Sequence, residues 1–396
     1  MEIEGKFATA KSLSSNLEDS CITKLQSLCN QESFKDTNIR IMPDAHDGKS
    51  CCIGFTCHTK GKIIPNTIGV DISCSISTYK IDAKEVDFNI LDNVIRERIP
   101  LGMNIRETKS NLVSNDFCDE IYEVLKDIKK TSEKKVVNRA YNSIGTLGGG
   151  NHFIELNKDS NNNYWLTIHT GSRNFGHIIC DYHQEIANKR CNAITNLKEI
   201  PPQERQQYIN NHPKLDKDLC YLQDDDLKLY IKHIKVAQKF AELSHKVILD
   251  EIIKGMNWSV EDKIFTNHNY IEELSDGSYM IRKGSISAKE GQRVIIPINM
   301  RDGSIIGTGK GNPEWNYSAP HGAGRLMSRK AAKEKFEIEQ FKDLMKDVYS
   351  TSINESTIDE NPLCYKPLEE IIKYTEDLIN IDDIIKSVYN IKSEGD

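Results

Sequence analysis

The sequence predicts an α+β fold built as one large mixed domain. Runs of strand length, rich in β-branched and aromatic residues, alternate with segments of helical spacing along the 396 residues. Turns containing glycine or asparagine separate them, and no internal repeat or low-complexity linker divides the chain. We therefore treat residues 1–396 as a single domain, with the polar, proline-containing stretch 196–216 as a surface insertion.

The strand predictions rest on short apolar runs bounded by turn residues. They are Ile39–Pro43, Cys51–Cys57, Ser75–Ile81, Phe153–Leu156, Tyr164–His169, Ile264–Asn267, Ser278–Ile281 and Arg293–Ile298. Between the first two, residues 44–49 contain aspartates and a glycine and predict a turn-rich loop. The stretch Gly148–Gly150 excludes regular structure before the fourth strand.

The helix predictions rest on apolar residues that recur every three or four positions. They are Glu18–Cys29, Ile90–Ile99, Val113–Ser132, Gly176–Lys189, Asp224–Gly255, Ala331–Tyr349 and a helix opened by Pro367. Asp224–Gly255 is the longest, with Gly255 as its expected stop. The last residues, Ser387–Asp396, are expected to form a short, partly ordered tail.

Composition and charge exclude several classes of protein. Hydrophobic residues make up 38% and charged residues 28%, which is typical of a soluble globular protein. No apolar run approaches the roughly 20 residues of a membrane span, and no secretory signal is recognisable. Eleven cysteines without a Cys-x-x-Cys pair argue against a disulfide scaffold and for reduced thiols, so we expect a cytoplasmic protein.

The net charge of −7 is unevenly distributed. Between Arg282 and Lys335 there are 11 lysines and arginines against 4 acidic residues. A basic segment on an acidic body is compatible with phosphate or RNA binding in one cleft. An unevenly charged surface without a ligand is the alternative that charge alone leaves open.

Five segments place a Cys, Asp or His beside Gly, Asn or Ser. They are Gly69–Cys74, Gly148–His152, Ile168–Arg173, Thr266–Asn269 and Ser318–Arg325. Each histidine taken alone is more often structural, but five such segments together indicate a metal centre. Asp71 and Cys74 stand three residues apart and can serve the same site. Thiolate, imidazole and carboxylate ligands together suit Mn, Co or Zn.

The segment Ser318–Arg325 contains His321 among residues with little side-chain bulk. Pro320 fixes the backbone before it, while Gly322 and Gly324 let a phosphate approach the main chain. Arg325 offers a planar set of donors suited to phosphate. His321 itself can be a nucleophile, a proton donor or a metal ligand. A turn that enters the next helix is the purely structural alternative.

Six motifs, in order, resemble those of the RtcB family of GTP-dependent RNA ligases over about residues 40 to 330. They are Met42-Pro-Asp-Ala-His-Asp-Gly-Lys49, Ile68-Gly-Val-Asp-Ile-Ser-Cys74, Gly145-Thr-Leu-Gly-Gly-Gly-Asn-His-Phe153, His169-Thr-Gly-Ser-Arg173, Arg282-Lys-Gly284 and Ser318-Ala-Pro-His-Gly-Ala-Gly-Arg325. The resemblance implies β-sheets around a central metal cleft, with helices at the periphery. One departure lies at Pro297-Ile-Asn-Met300, where the family usually has Pro-Gly-Ser-Met.

The resemblance also implies a reaction. His321 would take GMP from GTP, and GMP would pass to an RNA 3′-phosphate, which a 5′-hydroxyl end then attacks. A 2′,3′-cyclic phosphate would first be opened to the 3′-phosphate. Two Mn²⁺ ions would be bound by Asp71, Cys74 as a bridge, His152, His169 and His268. The expected substrates are GTP and RNA in splicing or repair.

The same resemblance assigns the remaining site residues. The nucleotide site would contain Asn151, His152, Phe153, Ile154, Glu155, His268, Asn269, Pro297, Ile298, Asn299, Met300, Ser304, His321, Gly322, Ala323, Gly324 and Lys392. Arg173, Lys283 and Arg325 would contact RNA or the transferred phosphate. We expect a monomer without membrane association, and the need for an activating protein stays open. Two alternatives are a metal-dependent cyclic phosphoesterase that does not ligate and a non-catalytic RNA-binding protein.

Overall fold

Three β-sheets organise the molecule in a computed structural model that describes residues 1–131, 133–193, 200–207 and 214–393. The strands are β1 Glu2–Glu4, β2 Thr9–Ser12, β3 Asn38–His46, β4 Ile53–Thr59, β5 Ser75–Ile81, β6 Phe153–Lys158, β7 Tyr164–Thr170, β8 Val260–Asn267, β9 Asn269–Glu273, β10 Tyr279–Lys283, β11 Ser285–Ser287, β12 Arg293–Asn299, β13 Gly303–Gly309, β14 Ser318–Pro320 and β15 Ile379–Lys392. They form a six-stranded sheet (β1-β2-β3-β4-β10-β9), a seven-stranded sheet (β12-β13-β15-β6-β7-β5-β8) and the pair β11-β14.

The pairing of the seven-stranded sheet brings several chain segments to one edge. Strand β5 pairs antiparallel with both β7 and β8, so that Ser75 lies opposite Thr170 and Asn267. Strand β6 pairs with β7, which sets Phe153 opposite His169. The residues just before β5 and β6, and just after β8, therefore meet at the same end of neighbouring strands.

Helices cover the outer faces of the sheets. Those with assigned bounds are α1 Asp19–Cys29, α2 Phe88–Arg98, α3 Asn115–Asp127, α4 Lys134–Asn142, α5 Arg173–Cys191, α6 Asp224–Met256, α7 Arg329–Lys335, α8 Ile338–Leu344 and α9 Leu368–Thr375. The 33-residue α6 ends where Asn257 adopts the left-handed conformation, one residue beyond the expected stop. No described helix is long and apolar enough to cross a bilayer.

The hydrophobic core is divided among these layers. The largest cluster lies where α1, α3, α5 and α6 contact the six-stranded sheet and includes Leu25, Phe55 and Phe240. A second cluster lies between the seven-stranded sheet and helices α2 and α6, around Leu156 and Ile248. All eleven cysteines are free thiols, as the sequence predicted, and ten of them are buried. The α+β class is confirmed, and the sheets bury the site between them.

Three predictions of secondary structure were wrong. The single helix expected at Ala331–Tyr349 is two short helices, because Phe336 is extended and both Phe336 and Phe341 bury in one small core. The expected tail at Ser387–Asp396 is instead the end of the long strand β15, which pairs with β13 and β6. The expected loop at residues 44–49 begins as strand, since β3 runs to His46. Residues 196–199 and 208–213 of the expected insertion, and 394–396, lie outside the described residues.

Candidate active site

The five predicted metal ligands lie together at the edge of the seven-stranded sheet. Two groups of side chains have their ligand atoms within 4.8 Å of one another, Asp71-Cys74-His152 and Cys74-His169-His268. The Cys74 Sγ atom is 3.3 Å from His152 Nε2 and 3.2 Å from His169 Nε2. Cys74 is thus common to both groups, which is the arrangement expected of a bridging ligand.

Arg173 holds His152 from the side opposite the thiol. An Arg173 Nη atom lies 3.4 Å from His152 Nδ1, and the other donates 3.0 Å to the carbonyl of Gly102. A side chain at Gly148, whose φ is +96°, would begin only 1.8 Å from the guanidinium. Glycine is favoured here because L side chains rarely adopt this φ and because Arg173 approaches closely, so the glycine run before His152 has a structural cause.

The donor set fits a divalent cation. Asp71 Oδ1 and His268 Nδ1 are buried, and neither has a hydrogen-bond partner among the residues that the structure describes. Buried polar atoms of this kind are normally satisfied, and a bound cation would supply what is missing. Thiolate, imidazole and carboxylate together match Mn, Co or Zn and not Mg or Ca.

In the absence of a cation, the lowered pKa of Asp71 favours a charged carboxylate, whereas the pKa values of one thiol and two imidazoles favour their neutral forms. Burial raises the pKa of the Cys74 thiol well above its usual value, and the Asp71 carboxylate adds to that shift. Burial and the neighbouring histidines lower the pKa of His169 and of His268 well below the ordinary range. The imidazoles are therefore unprotonated and able to coordinate, whereas the thiol must lose its proton to bind.

His321 lies beside the metal cluster but is held by another residue. Its ring centroid is 4.9 Å from that of His268, and its Nδ1 is 2.6 Å from Asp44 Oδ2. Asp44 is fully buried, and the same Oδ2 accepts hydrogen bonds from the backbone N–H groups of His321 and Gly322. With Nδ1 engaged by a carboxylate, Nε2 is the nitrogen left for chemistry.

Gly324 is constrained by the backbone of β3, and the approach of a phosphate expected from the sequence stays a prediction. Its φ is +74°, and an added side chain would begin 2.3 Å from the Asp44 carbonyl oxygen. Glycine is needed here so that the His321 loop can pack on the backbone of β3. Gly322 is less constrained, because a side chain there would meet the Pro297 carbonyl at 3.3 Å.

A cavity of about 490 Å³ opens from His321. The predicted nucleotide residues that line it are Asn151, Phe153, Glu155, Pro297, Ile298, Asn299, Met300, His321, Gly322, Ala323, Gly324 and Lys392. The predicted metal ligand His169 reaches the cavity wall as well. Four separate segments of the chain thus converge on one space, whose volume suits a nucleotide-sized ligand.

Two buried acidic groups lie in the cavity wall around Lys392. The Lys392 ammonium lies 2.5 Å from Glu360 Oε2, and it sits over the Phe153 ring at 5.4 Å from the centroid. Burial raises the pKa of Glu155 to about 7, although hydrogen bonds from Asn157 and Asn390 oppose the shift. This wall therefore offers a cation and a carboxyl group that gains its charge as the pH rises through about 7.

Some predicted site residues lie outside the cavity wall. Ile154 and Ser304 are fully buried in the sheet, while His152, His268 and Asn269 lie at the metal cluster, where Asn269 donates to the Asp71 carbonyl. Lys283 is also buried, and its ammonium donates to the carbonyls of Lys49 and Asn66. Their expected contacts with nucleotide or RNA stay predictions.

Arg325 does line the cavity, but acidic and carbonyl groups occupy its guanidinium. It donates to the Asp359 carbonyl at 2.7 Å and pairs with Glu360 Oε1 at 3.4 Å. The expected contact with phosphate stays a prediction. The Arg325 guanidinium stacks on the Tyr365 ring, with its Cζ atom 5.2 Å from the ring centroid.

Several residues of the site have no role assigned from the sequence. Asp44 belongs to a quoted motif, but nothing in the sequence pairs it with His321, 277 positions away. Glu360 ends the 3₁₀-helix Glu355–Glu360 and Tyr365 follows the 3₁₀-helix Pro362–Cys364, and no sequence pattern marked either residue. Asn390 was placed in the tail, and only the strand pairing of β15 brings it to the cavity.

Comparison with known proteins agrees with this geometry. A family model described as "tRNA-splicing ligase RtcB" matches residues 30–393. The chain belongs to the RtcB family. It is 30% identical to the RNA-splicing ligase RtcB of Escherichia coli K12, over 90% of each chain. The tRNA-splicing ligase RtcB of Aeropyrum pernix is 26% identical, over 84% of this chain and 82% of that protein.

A more distant relative covers even more of the sequence. The tRNA-splicing ligase RtcB of Methanococcus maripaludis is 24% identical, over 95% of this chain and 92% of its own length. The match to the family model, over residues 30–393, includes the candidate metal ligands, the His321 loop and β15. Membership of the RtcB family makes this chain an RNA-splicing ligase in class and confirms the resemblance drawn from the six motifs.

Proposed function

We propose that this RtcB-family chain is a GTP-dependent ligase that joins RNA 3′-phosphate or 2′,3′-cyclic phosphate ends to 5′-hydroxyl ends. The observation that carries the proposal is the 2.6 Å contact between His321 Nδ1 and the buried Asp44 carboxylate. A histidine held this way donates Nδ1–H to the carboxylate and keeps its lone pair on Nε2. The same residue opens onto the nucleotide-sized cavity.

In the first step, His321 Nε2 attacks the α-phosphorus of GTP. A nitrogen–phosphorus bond forms, the bond to the β-phosphate oxygen breaks, and pyrophosphate leaves with its electron pair. Asp44 keeps the ring in the correct tautomer and stabilises the positive charge that develops on the imidazole. The backbone of Gly322 is held by the same carboxylate, which keeps the loop in place during the attack.

In the second and third steps, GMP moves from His321 to the RNA. An oxygen of the RNA 3′-phosphate attacks the phosphorus of the histidine adduct, and His321 leaves with the nitrogen electron pair. A 5′-hydroxyl then attacks the former 3′-phosphate, and GMP departs as the junction forms. A cyclic 2′,3′-phosphate must first add one water, which opens the ring to a 3′-phosphate. Positioning and charge stabilisation carry most of such phosphoryl transfers.

The residues that would hold Mn²⁺ are Asp71, Cys74, His152, His169 and His268. When bound, the metal would neutralise phosphate charge and orient the reacting groups. Two ions are proposed because Cys74 belongs to both ligand groups. His321 is absent from both groups, which leaves it free for covalent chemistry.

The wall around Lys392 is the proposed guanine site. Phe153 offers an aromatic face, Lys392 a hydrogen-bond donor and Glu155 an acceptor. The base would then lie at the far end of the cavity, with the α-phosphate at His321. The cyclic phosphoesterase alternative would need the metal ligands but not a histidine oriented by a buried carboxylate, and the His321–Asp44 pair therefore favours the ligase.

The test is covalent labelling with GTP that carries a radioactive α-phosphate, in the presence of Mn²⁺. We expect label on the protein that acid releases and base does not, as for a phosphoramidate. The variant His321→Ala should carry none. His177→Ala is the matched control, because His177 is exposed on α5 and pairs with Asp181, and it should label like the wild type.

A second assay follows the joined RNA. A radioactive 3′-phosphate on the donor strand should become the internal phosphate of the junction and resist phosphatase. Protein labelling by GTP that persists in His321→Ala would refute the proposed nucleophile. Opening of cyclic phosphate without any joined product would instead favour the phosphoesterase.

A further inference from the structure

Asn390 is a polar residue in the nucleotide cavity to which no role has been assigned above. It lies on β15 directly opposite Glu155 of β6, and it is 1% exposed. Its Nδ2 donates to Glu155 Oε2 at 2.7 Å. Its Oδ1 is buried and has no hydrogen-bond partner among the described residues. The amide thus uses one end and leaves an acceptor unsatisfied in the wall of the cavity.

Asn157 provides an internal comparison. It also donates to Glu155, through Nδ2 to Oε1 at 2.6 Å. Its own Oδ1, however, accepts a hydrogen bond from Thr167 at 3.0 Å, so both ends of the amide are satisfied. Asn157 is fully buried and does not belong to the residues that line the cavity. Two asparagines therefore donate to the same carboxylate. Of the two, only Asn390 has an amide oxygen without a hydrogen-bond partner among the described residues.

The polar groups at this end of the cavity differ in whether they donate or accept hydrogen bonds. Lys392 is a donor, while Glu155 and Asn390 Oδ1 are acceptors. The Watson–Crick edge of guanine carries one acceptor, O6, followed by two donors, N1–H and the 2-amino group. Adenine presents an amino group and an unprotonated N1 on that edge, and hypoxanthine lacks the 2-amino group. Lys392, which also pairs with Glu360, lies beside the two acceptors, and this set of groups is complementary to guanine.

We propose that Asn390 is a specificity-determining residue that presents Glu155 and its own Oδ1 as paired acceptors for N1–H and the 2-amino group of guanine. The proposal rests on the GTP-dependent function given above and adds a residue to it. A 2-amino group that enters the cavity would satisfy the buried amide oxygen, whereas a base without that group would leave it unpaired. Discrimination of this kind is strong because a base without the amino group leaves a buried acceptor unpaired, which weakens its binding.

The experiment compares GTP with ITP, whose base differs from guanine only by the missing 2-amino group. Initial rates of His321 labelling in Mn²⁺ are measured with each nucleotide, labelled in the α-phosphate, on the full chain. The wild type should prefer GTP by about tenfold or more, the effect of one buried hydrogen bond. In Asn390→Val the ratio should fall towards one, mainly through a slower reaction with GTP.

Asn157→Val is the matched control. It removes the other hydrogen bond to Glu155, so both nucleotides should react more slowly while their ratio stays that of the wild type. A ratio that falls equally in both variants would show that Asn390 acts only by holding Glu155, and this would overturn its assignment as an acceptor.

The comparison of GTP with ITP in the wild type can overturn the assignment of Asn390 even if Asn390→Val fails to fold. Equal labelling by GTP and ITP in the unmodified chain overturns the assignment of Asn390 and leaves the proposed ligase intact. Labelling by neither nucleotide overturns the proposed function and this assignment with it. A GTP preference in the wild type that Asn390→Val retains, in a variant that melts like the wild type, also refutes the role of Asn390.

Discussion

At the scale of single residues, the site depends on a carboxylate that touches no substrate. Asp44 Oδ2 accepts hydrogen bonds from His321 Nδ1 and from two backbone N–H groups of the same loop. In Asp44→Asn the amide can donate to Nδ1, which moves the ring proton to Nε2 and blocks attack. We expect His321 labelling to slow by about 10²-fold or more, the usual size of such effects. Initial labelling rates with α-labelled GTP measure it.

A control for the loss of charge is available on strand β8. Asp262 is exposed and pairs with Arg293 far from His321, so Asp262→Asn should label at the wild-type rate. Thermal melting of both variants separates a chemical defect from unfolding. Normal labelling by a well-folded Asp44→Asn would show that His321 does not need this partner.

The raised pKa of Glu155 predicts how the stability of the folded protein depends on pH. Burial raises its pKa from 4.5 to about 7, so the folded state binds the proton more tightly than the unfolded chain. This contribution to stability is fully present below pH 4.5 and is lost as the pH rises through 7. The shift corresponds to about 3 kcal/mol.

Glu155→Gln lacks this titration and serves as the reference. The unfolding free energy of the wild type minus that of the variant should fall by about 3 kcal/mol between pH 4.5 and 8.5. Urea denaturation of both proteins across this range measures the difference. Curves that run parallel would mean that Glu155 is solvated in the folded protein.

At the scale of elements, β15 is the strand on which the sheet and the cavity both depend. It pairs with β13 over its first half and with β6 over its second half, and it ends at Lys392. Ile391 is fully buried, whereas Ile381 on the same strand is 37% exposed. Ile391→Ala should lower the unfolding free energy by about 2–5 kcal/mol, since it leaves a cavity in the core.

The same substitution at Ile381 is the matched control for β15. Because its side chain already reaches solvent, Ile381→Ala should change stability by less than about 1 kcal/mol. Denaturant midpoints of the two variants give the comparison. Similar losses at both positions would contradict the burial pattern of this strand.

Sequence periodicity predicted the elements whose patterns are local. The strand Ser75–Ile81 has the predicted bounds, because four of its seven residues are β-branched or aromatic and turn residues flank it. Strand β15 was missed because Asp382 and Asp383 interrupt its apolar pattern, and its pairing partners lie far away in sequence. The break between α7 and α8 contains neither glycine nor proline, and only the burial of Phe336 and Phe341 in one core explains it.

At the scale of the whole molecule, the site exists only where the three sheets meet. The six-stranded sheet supplies Asp44, the pair β11-β14 leads into His321, and the seven-stranded sheet supplies the edge with Cys74 and His169. The sequence motifs predicted which residues take part, because each motif is local. They could not predict that Asp44 orients His321 or that Asn390 faces Glu155, since these contacts form only on folding.

A metal ion at this junction should therefore stabilise the entire fold. Its five proposed ligands lie in or beside four different strands, and the unfolded chain does not hold them together. Mn²⁺ at 100 times its dissociation constant should add about 2.7 kcal/mol, and chelation should remove the effect. Melting temperature with and without Mn²⁺ measures it without any assay of activity.

Two variants separate the ligands from the nucleophile in this measurement. Cys74→Ala should lose both the Mn²⁺-dependent stabilisation and the labelling by GTP, because Cys74 belongs to both ligand groups. His321→Ala should lose the labelling yet keep the stabilisation, because His321 belongs to neither. Bound Mn²⁺ per chain, determined after gel filtration, should follow the stabilisation in each case. Full stabilisation and labelling in Cys74→Ala would refute the bridging role, and loss of Mn²⁺ in His321→Ala would make that histidine a ligand.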